Sequence, residues 1–337
     1  MMKSFVKNHK KIFIILITTF LLLFSVYFLI KQPLFSDYKL SKKHSLSANE
    51  IILKNHVKFL SENNRTSENG QEKIVDYILA ELKKNKVDEK NIEIQRYLVN
   101  KREYKNIIVH FKESARKRFS ISKYIIGGHY DSYGEFPGAD DNASAIAGLL
   151  EISRILNKTK LYGGRDIDLV FYSTEEPPFF ATKDMGSFQH AKNIKEEKID
   201  LVLILEMIGY FSEEENSQSF PISFMKYFYP TKGNFITICS NFKNSLKTRR
   251  AKGVFKSFLA KKEIIKVESI NAPLFIPGMD FSDHRNYWKF DIPAIMITDT
   301  AFYRNKNYHT KNDTYEKLDY RKMKEVIDAT VATALSF

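Results

Sequence analysis

Several short stretches of this chain put His and acidic residues directly behind apolar runs. That is where a sheet protein can gather metal donors at the ends of its strands. IIGGHYDS supplies His129 and Asp131, PGADDNAS supplies Asp140 and Asp141, LVFYSTEE supplies Glu175 and Glu176, and LVLILEMIGY supplies Glu206. Near the end of the chain, NYHTKNDT adds His309. Taken singly, each has an ordinary explanation. A His after a strand is usually structural, Asp-Asp before a helix can be an N-cap, and Glu-Glu in a loop is commonly a solvated pair. Glu206 is harder to explain that way, because an ionised carboxylate in an apolar strand costs several kcal/mol unless something compensates it. Together the residues suit a zinc site. Zn²⁺ takes imidazole and carboxylate donors, and a catalytic site keeps a position open. Two ions about 3.5–4 Å apart need a shared carboxylate and matched terminal ligands. Two His and three carboxylates supply that set and leave a further carboxylate free to act as general base.

The elements that must position these residues follow from the pattern of apolar positions. Strands are expected at 92–99, 105–111, 124–128, 167–173, 201–206, 235–240, 264–270 and 294–298. Between them fall helices: one opened by a capping box at Ser47 and Glu50, others at 71–84, 142–156 and 245–261, and a last one at 320–335. Strands alternating with helices predict an α/β fold: a single domain with a mixed, mostly parallel twisted sheet flanked by helices on both faces. The four motifs then lie at successive strand ends.

Composition removes several alternatives. Cys239 is the only cysteine among 337 residues, so an intramolecular disulfide and a Cys-based zinc site are both excluded. The net charge is +13, but +7 of it falls in residues 1–45. The remainder is dispersed Lys without basic clusters interleaved with aromatics, so no nucleic-acid partner is expected.

Residues 12–30 form an uncharged run, IFIILITTFLLLFSVYFLI, preceded by Lys3, Lys7, Lys10 and Lys11. Its length suits a membrane-crossing helix. The basic flank predicts a cytoplasmic tail at 1–11, a signal anchor at 12–30, a linker at 31–45 and, at 46–337, the domain with the candidate zinc site on the periplasmic or extracellular side. A cleaved signal sequence fits less well, because the run ends in bulky Tyr27, Phe28, Leu29 and Ile30 rather than small residues.

The ordered motifs GGHYDS, PGADDNAS, STEEPPF, LEMIGY, FSDHRNYW and YHTKNDT resemble the co-catalytic zinc exopeptidase family that contains bacterial leucine aminopeptidases, glutamate carboxypeptidase and glutaminyl cyclase. The resemblance covers roughly residues 124–320. It implies two Zn²⁺ ions, one held by His129 and Glu206 and the other by Glu176 and His309, with Asp140 bridging them. It implies Glu175 as the general base and Asp131 as the group that orients His129. It also implies a cis peptide between Asp140 and Asp141, and a Tyr308 that hydrogen-bonds the scissile carbonyl. Asp283 and His284 would be positioning residues beside the substrate. Many family members have Asp where this chain has Glu206.

The function expected from the resemblance is hydrolysis of a peptide at its terminus, most simply by an aminopeptidase, since the chain lacks the large inserted domains that shape carboxypeptidase pockets. Residues 211–276 could build a specificity wall, and Arg304 leaves recognition of a free carboxylate open. Glutaminyl cyclase is the alternative, although that branch usually has a Trp where Tyr308 stands. A catalytically inactive binding ectodomain is a third reading.

Overall fold

Apolar runs of strand length assemble into one eight-stranded sheet in the computed structural model, which describes residues 2–33, 47–113, 122–162, 164–260 and 264–336. The strands are β1 (Ile92–Val99), β2 (Arg102–Phe111), β3 (Ser122–His129), β4 (Arg165–Tyr172), β5 (Ile199–Glu206), β6 (Phe235–Ser240), β7 (Lys266–Asn271) and β8 (Ala294–Thr298). Their order across the sheet is β1-β2-β4-β3-β5-β8-β6-β7. The central strands β4, β3, β5 and β8 run parallel, whereas β1, β2 and the β6–β8 pairing are antiparallel. The expected mixed, mostly parallel sheet is therefore present. Its central strands read as unbroken apolar runs because both faces are covered.

Around the sheet lie α1 (Met2–Lys31), α2 (Glu50–Ser61), α3 (Glu68–Lys84), α4 (Ala145–Asn157), α5 (Gly186–Asn193), α6 (Ser245–Leu259), α7 (His284–Trp288) and α8 (Tyr320–Ser336). Strand alternation divides the core. Ile126, Leu203 and Ile297 join the large apolar cluster shared with α2, α3, α4, α6 and α8. Ile125, Val202, Ile204 and Ala294 face the smaller cluster that holds Ala191 of α5 and Tyr287 of α7. The start of α2 differs from the expected capping box. Asn49 caps it, accepting from the amides of Ile51 and Ile52, while Ser47 bonds Asp328 instead.

Gly127 shows how tightly β3 is held. A Cβ there would lie 2.4 Å from the Tyr172 ring. That ring cannot retreat, because Tyr172 is fully buried and its hydroxyl bonds that of Tyr287 at 2.5 Å. Gly127→Ala is expected to destabilise the domain by about 1–3 kcal/mol, the usual cost of overpacking. Urea unfolding of the detergent-solubilised chain measures this, and an unchanged midpoint would contradict the rigid packing.

Among the described residues, α1 provides one span, His9–Lys31, long and apolar enough to cross a membrane. The expected linker falls largely on residues 34–46, which lie outside the described residues. Its first residues are packed rather than free. The Lys31 carbonyl accepts from Lys252 Nζ and Ser269 Oγ, both at 2.8 Å, and Arg249 donates to the Pro33 carbonyl.

Candidate metal centre

The carboxyl ends of β3, β4 and β5 open into a buried cluster of donors. His129 is the last residue of β3 and Glu206 the last of β5, while Glu175 and Glu176 follow β4 in the loop. Two groups of donors form. His129, Asp141 and Glu206 make one, and Asp141, Glu176 and His309 make the other. His129 Nε2 lies 3.4 Å from Asp141 Oδ1 and 3.4 Å from Glu206 Oε2. His309 Nε2 lies 3.1 Å from Asp141 Oδ2 and 3.3 Å from Glu176 Oε2.

The shared position among these donors therefore belongs to Asp141, not to Asp140 as the family resemblance implied. Asp140 turns away: Oδ1 accepts from the Gly209 amide at 3.0 Å and Oδ2 from Asn305 Nδ2 at 3.0 Å. The electrostatics separate the neighbours further. Burial, with Asp299 beside it, pushes the Asp140 carboxyl well above its ordinary range. Burial acts the same way on Asp141, but the imidazoles of His129 and His309 beside it outweigh burial and hold that carboxylate ionised. The cis peptide likewise joins Asp141 to Asn142, one residue beyond the expected position.

Surrounding groups fix the donors. Asp131 lies 3.3 Å from His129 Nδ1, and its two oxygens accept from the amides of Glu175 and Glu176 at 3.1 and 3.0 Å. It thus ties the β4 loop to the β3 end. Asn142 donates to Leu205 O and accepts from the Met207 amide at 3.0 Å each, locking the turn against β5. Glu206 Oε2 accepts from Ser282 Oγ at 2.6 Å, which anchors its side chain at the donor cluster. Asp313 accepts from the amides of Asp140 and Asp141. Arg65, wholly buried, donates to the carbonyls of Pro137, Gly138 and Asp141. The His309 ring is stacked on by Tyr133 at 3.9 Å and by Tyr308 at 3.7 Å.

The set fits metal ions on two grounds. Nε2 of His129, Nε2 of His309 and Oε1 of Glu176 are buried without a hydrogen-bond partner. Donors about 2.0–2.1 Å from a tetrahedral Zn²⁺ stand about 3.3 Å apart, which matches the His–carboxylate separations of 3.1 to 3.4 Å in both groups. The charge balance agrees. Burial, with His129 opposing and Glu176 and Glu206 adding to it, drives the Glu175 carboxyl well above its ordinary range. Burial and Asp141 push Glu176 up to about 8. Carboxylates this crowded ionise together only beside compensating positive charge.

Beside the centre lies a cleft bounded by Glu206 and Tyr308. Segments 218–229 and 270–281 wall it, and Cys239 and Met296 lie on its floor. Burial pushes the Cys239 thiol up to about 12, so it packs rather than reacts. Asp283 and His284 are buried, and His284 Nε2 lies 2.9 Å from the Met279 carbonyl. The residue that reaches the donors from that motif is Ser282. Arg304 is also committed elsewhere: its Nε donates to Gln218 and its guanidinium lies 4.6 Å from the Phe235 ring.

A mixed sheet with His and carboxylate donors gathered at the ends of its parallel strands defines a metallopeptidase. The chain belongs to peptidase family M28, a zinc-dependent family, which matches residues 106–334. It is 46% identical over 215 residues to the uncharacterized protein YfbL of Escherichia coli (strain K12), covering 61% of this chain and 64% of that protein. The match thus spans less than two thirds of that relative's length. In fold it is similar to the LapA aminopeptidase of Legionella pneumophila, with TM-score 0.67 and 16% identity over 90% of this chain and 78% of that one. It is similar also to the glutaminyl cyclase of Porphyromonas gingivalis, with TM-score 0.63 and 18% identity over 85% of this chain and 97% of that one.

Proposed function

We propose that the chain is a zinc-dependent aminopeptidase that removes apolar residues from the N-terminus of peptides, with its domain outside the cytoplasm and α1 as a single-pass anchor. The observation that carries this reading is the lining of the cleft. Among the described residues that line it there is no Lys or Arg, and Phe220, Met225, Tyr229, Ile270, Met279 and Met296 give it an apolar interior. A C-terminal carboxylate would meet no cationic side chain among the described lining residues, whereas a free amino group would lie beside Glu206. Arg304, the candidate for carboxylate recognition, is buried and engaged by Gln218.

His129 and Glu206 would hold one zinc ion, Glu176 and His309 a second, and Asp141 both. When bound, the ions would supply Lewis acidity for the scissile carbonyl and acidify water at neutral pH. Glu175 is within 3.8 Å of His129 but belongs to neither donor group, which leaves its carboxylate free to take a proton from the attacking water. The same carboxyl would return the proton to the departing amine. Asp131 keeps His129 oriented and the Glu175 backbone in register. Tyr308, on the cleft wall, would donate its hydroxyl to the carbonyl oxygen as negative charge develops there.

Aminoacyl reporters supplied with zinc test the reading. Leu and Phe derivatives are expected to exceed the Glu derivative by about 10–100-fold in kcat/KM, since burying such a side chain is worth about 1.5–3 kcal/mol. N-acetylation of a peptide should abolish its cleavage. Turnover of N-acetylated peptides with a free C-terminus would instead identify a carboxypeptidase. Release of ammonia from Gln-initiated peptides would identify a cyclase. The chain's single tryptophan, Trp288, bonds the Ala294 carbonyl at 3.0 Å and does not line the cleft. A purified chain without zinc would point to an inactive binding domain.

A further inference from the structure

The last turn of α1 is docked on the specificity cleft itself. Ile30 packs against the apolar cluster formed by Tyr229, Cys239, Ile270, Met279 and Met296, which also line the cleft. The Leu29 carbonyl accepts from Asn271 Nδ2 at 3.1 Å, and the Tyr27 ring stands 6.0 Å from that of Phe228. Lys31 lies 4.7 Å over the Tyr229 ring and 3.7 Å from Glu268.

This docking sets a depth. The uncharged run 12–30 rises about 28 Å as a helix, barely the roughly 30 Å of a bilayer's hydrocarbon. All of it is needed to cross, up to Ile30. Whatever touches residues 27–30 therefore sits at the outer edge of the hydrocarbon. The two segments whose Met225 and Ile276 pack on the same cluster as Ile30 carry an outer surface of the composition such a depth requires. On the cleft's first wall, Phe224 and Tyr227 are 63% and 71% exposed, and Lys226 extends over the Tyr227 ring. On its second wall, Phe275 is 81% exposed and Leu274 is exposed beside it. None of these four apolar side chains lines the cleft. Their inward-facing neighbours Met225, Tyr229 and Pro277 do. Aromatic residues beside Lys are the mixture that settles at a lipid–water boundary.

We propose that the outer faces of both cleft walls, residues 222–228 and 274–275, rest in the interface of the membrane that α1 crosses, holding the cleft at the lipid surface. The proposal rests on the reading of α1 as an uncleaved anchor. The full chain, reconstituted in nanodiscs of phosphatidylcholine and phosphatidylglycerol, tests it through single-cysteine labelling with an environment-sensitive fluorophore. The sites are Tyr227→Cys, Phe275→Cys, Leu98→Cys and Leu22→Cys, the native Cys239 being buried. Leu98 is the control, 72% exposed on β1 at the far edge of the sheet. Labels at 22, 227 and 275 should lose fluorescence to brominated acyl chains, while the label at 98 is quenched by aqueous iodide alone. Labels at 227 and 275 that behave like the one at 98, with 22 still quenched by lipid, would overturn the seating and leave the anchor standing. A label at 22 untouched by brominated lipid would overturn the anchor, and the seating with it. Protection of 227 and 275 from both quenchers would show that protein covers them, and would also overturn the proposal.

Discussion

Glu175→Gln is expected to lower kcat by roughly 10²–10⁴-fold, the usual contribution of a positioned general base, while leaving the zinc content unchanged. The substitution keeps size and shape and removes only the ability to accept a proton. Glu175 is 6% exposed and its backbone amide is fixed by Asp131 Oδ1 at 3.1 Å, so the side chain keeps its place in the variant. It contributes to neither donor group. The prediction therefore separates chemistry from binding: KM should change little, and elemental analysis should match the parent chain. A variant that turns over at near the parent rate would remove Glu175 from the mechanism. One that loses zinc would make it a ligand instead.

Much of this arrangement was legible in the chain, for reasons that differ from element to element. β1, β6 and β8 fall where their apolar patterns end, because turn-forming and polar residues bound them. The central parallel strands were visible as unbroken apolar runs, and their order along the chain put His129, Glu175, Glu176 and Glu206 at one end of the sheet. α5 and α7 were not visible. They are 8 and 5 residues long, and packing of Ala191 and Tyr287 against the sheet, rather than propensity, holds them in place. The groups that position the donors were hidden for a different reason. Arg65, Asn142 and Ser282 come from three different connections and Asn305 and Asp313 from a fourth, between β8 and α8, so only the fold brings them together. Asp313 had one available signal, as the acid four residues after His309 in the same motif. The proposed cleft wall at 211–276 was located in outline, but its second half extends to residue 281.

The distinction between Asp140 and Asp141 could not be read from spacing, since either fits between the GGHYDS motif and α4. It produces the second large effect. Asp141→Ala should release metal from both positions and reduce activity by more than about 100-fold, because loss of a supporting partner alone typically costs 10–100-fold. Both donor groups contain Asp141, one through each carboxylate oxygen, so no remaining residue can hold the two His groups together. Asp140→Asn should behave differently. Asp140 is fully buried, its carboxyl is pushed toward the neutral form, and its partners are the Gly209 amide, Asn305 and Asp299. An amide replaces a neutral carboxyl closely but meets the Asn305 amino group with the wrong polarity on one side. The expected cost is about 1–3 kcal/mol of stability with zinc retained. Zinc stoichiometry and denaturant midpoints measured together on both variants distinguish the assignments. Should Asp140→Asn lose both ions while Asp141→Ala keeps them, the shared ligand would be Asp140 after all. Because Asp141 holds a buried carboxylate between two imidazoles, Asp141→Asn provides the check on folding: it keeps the volume, and its metal loss would be due to charge alone.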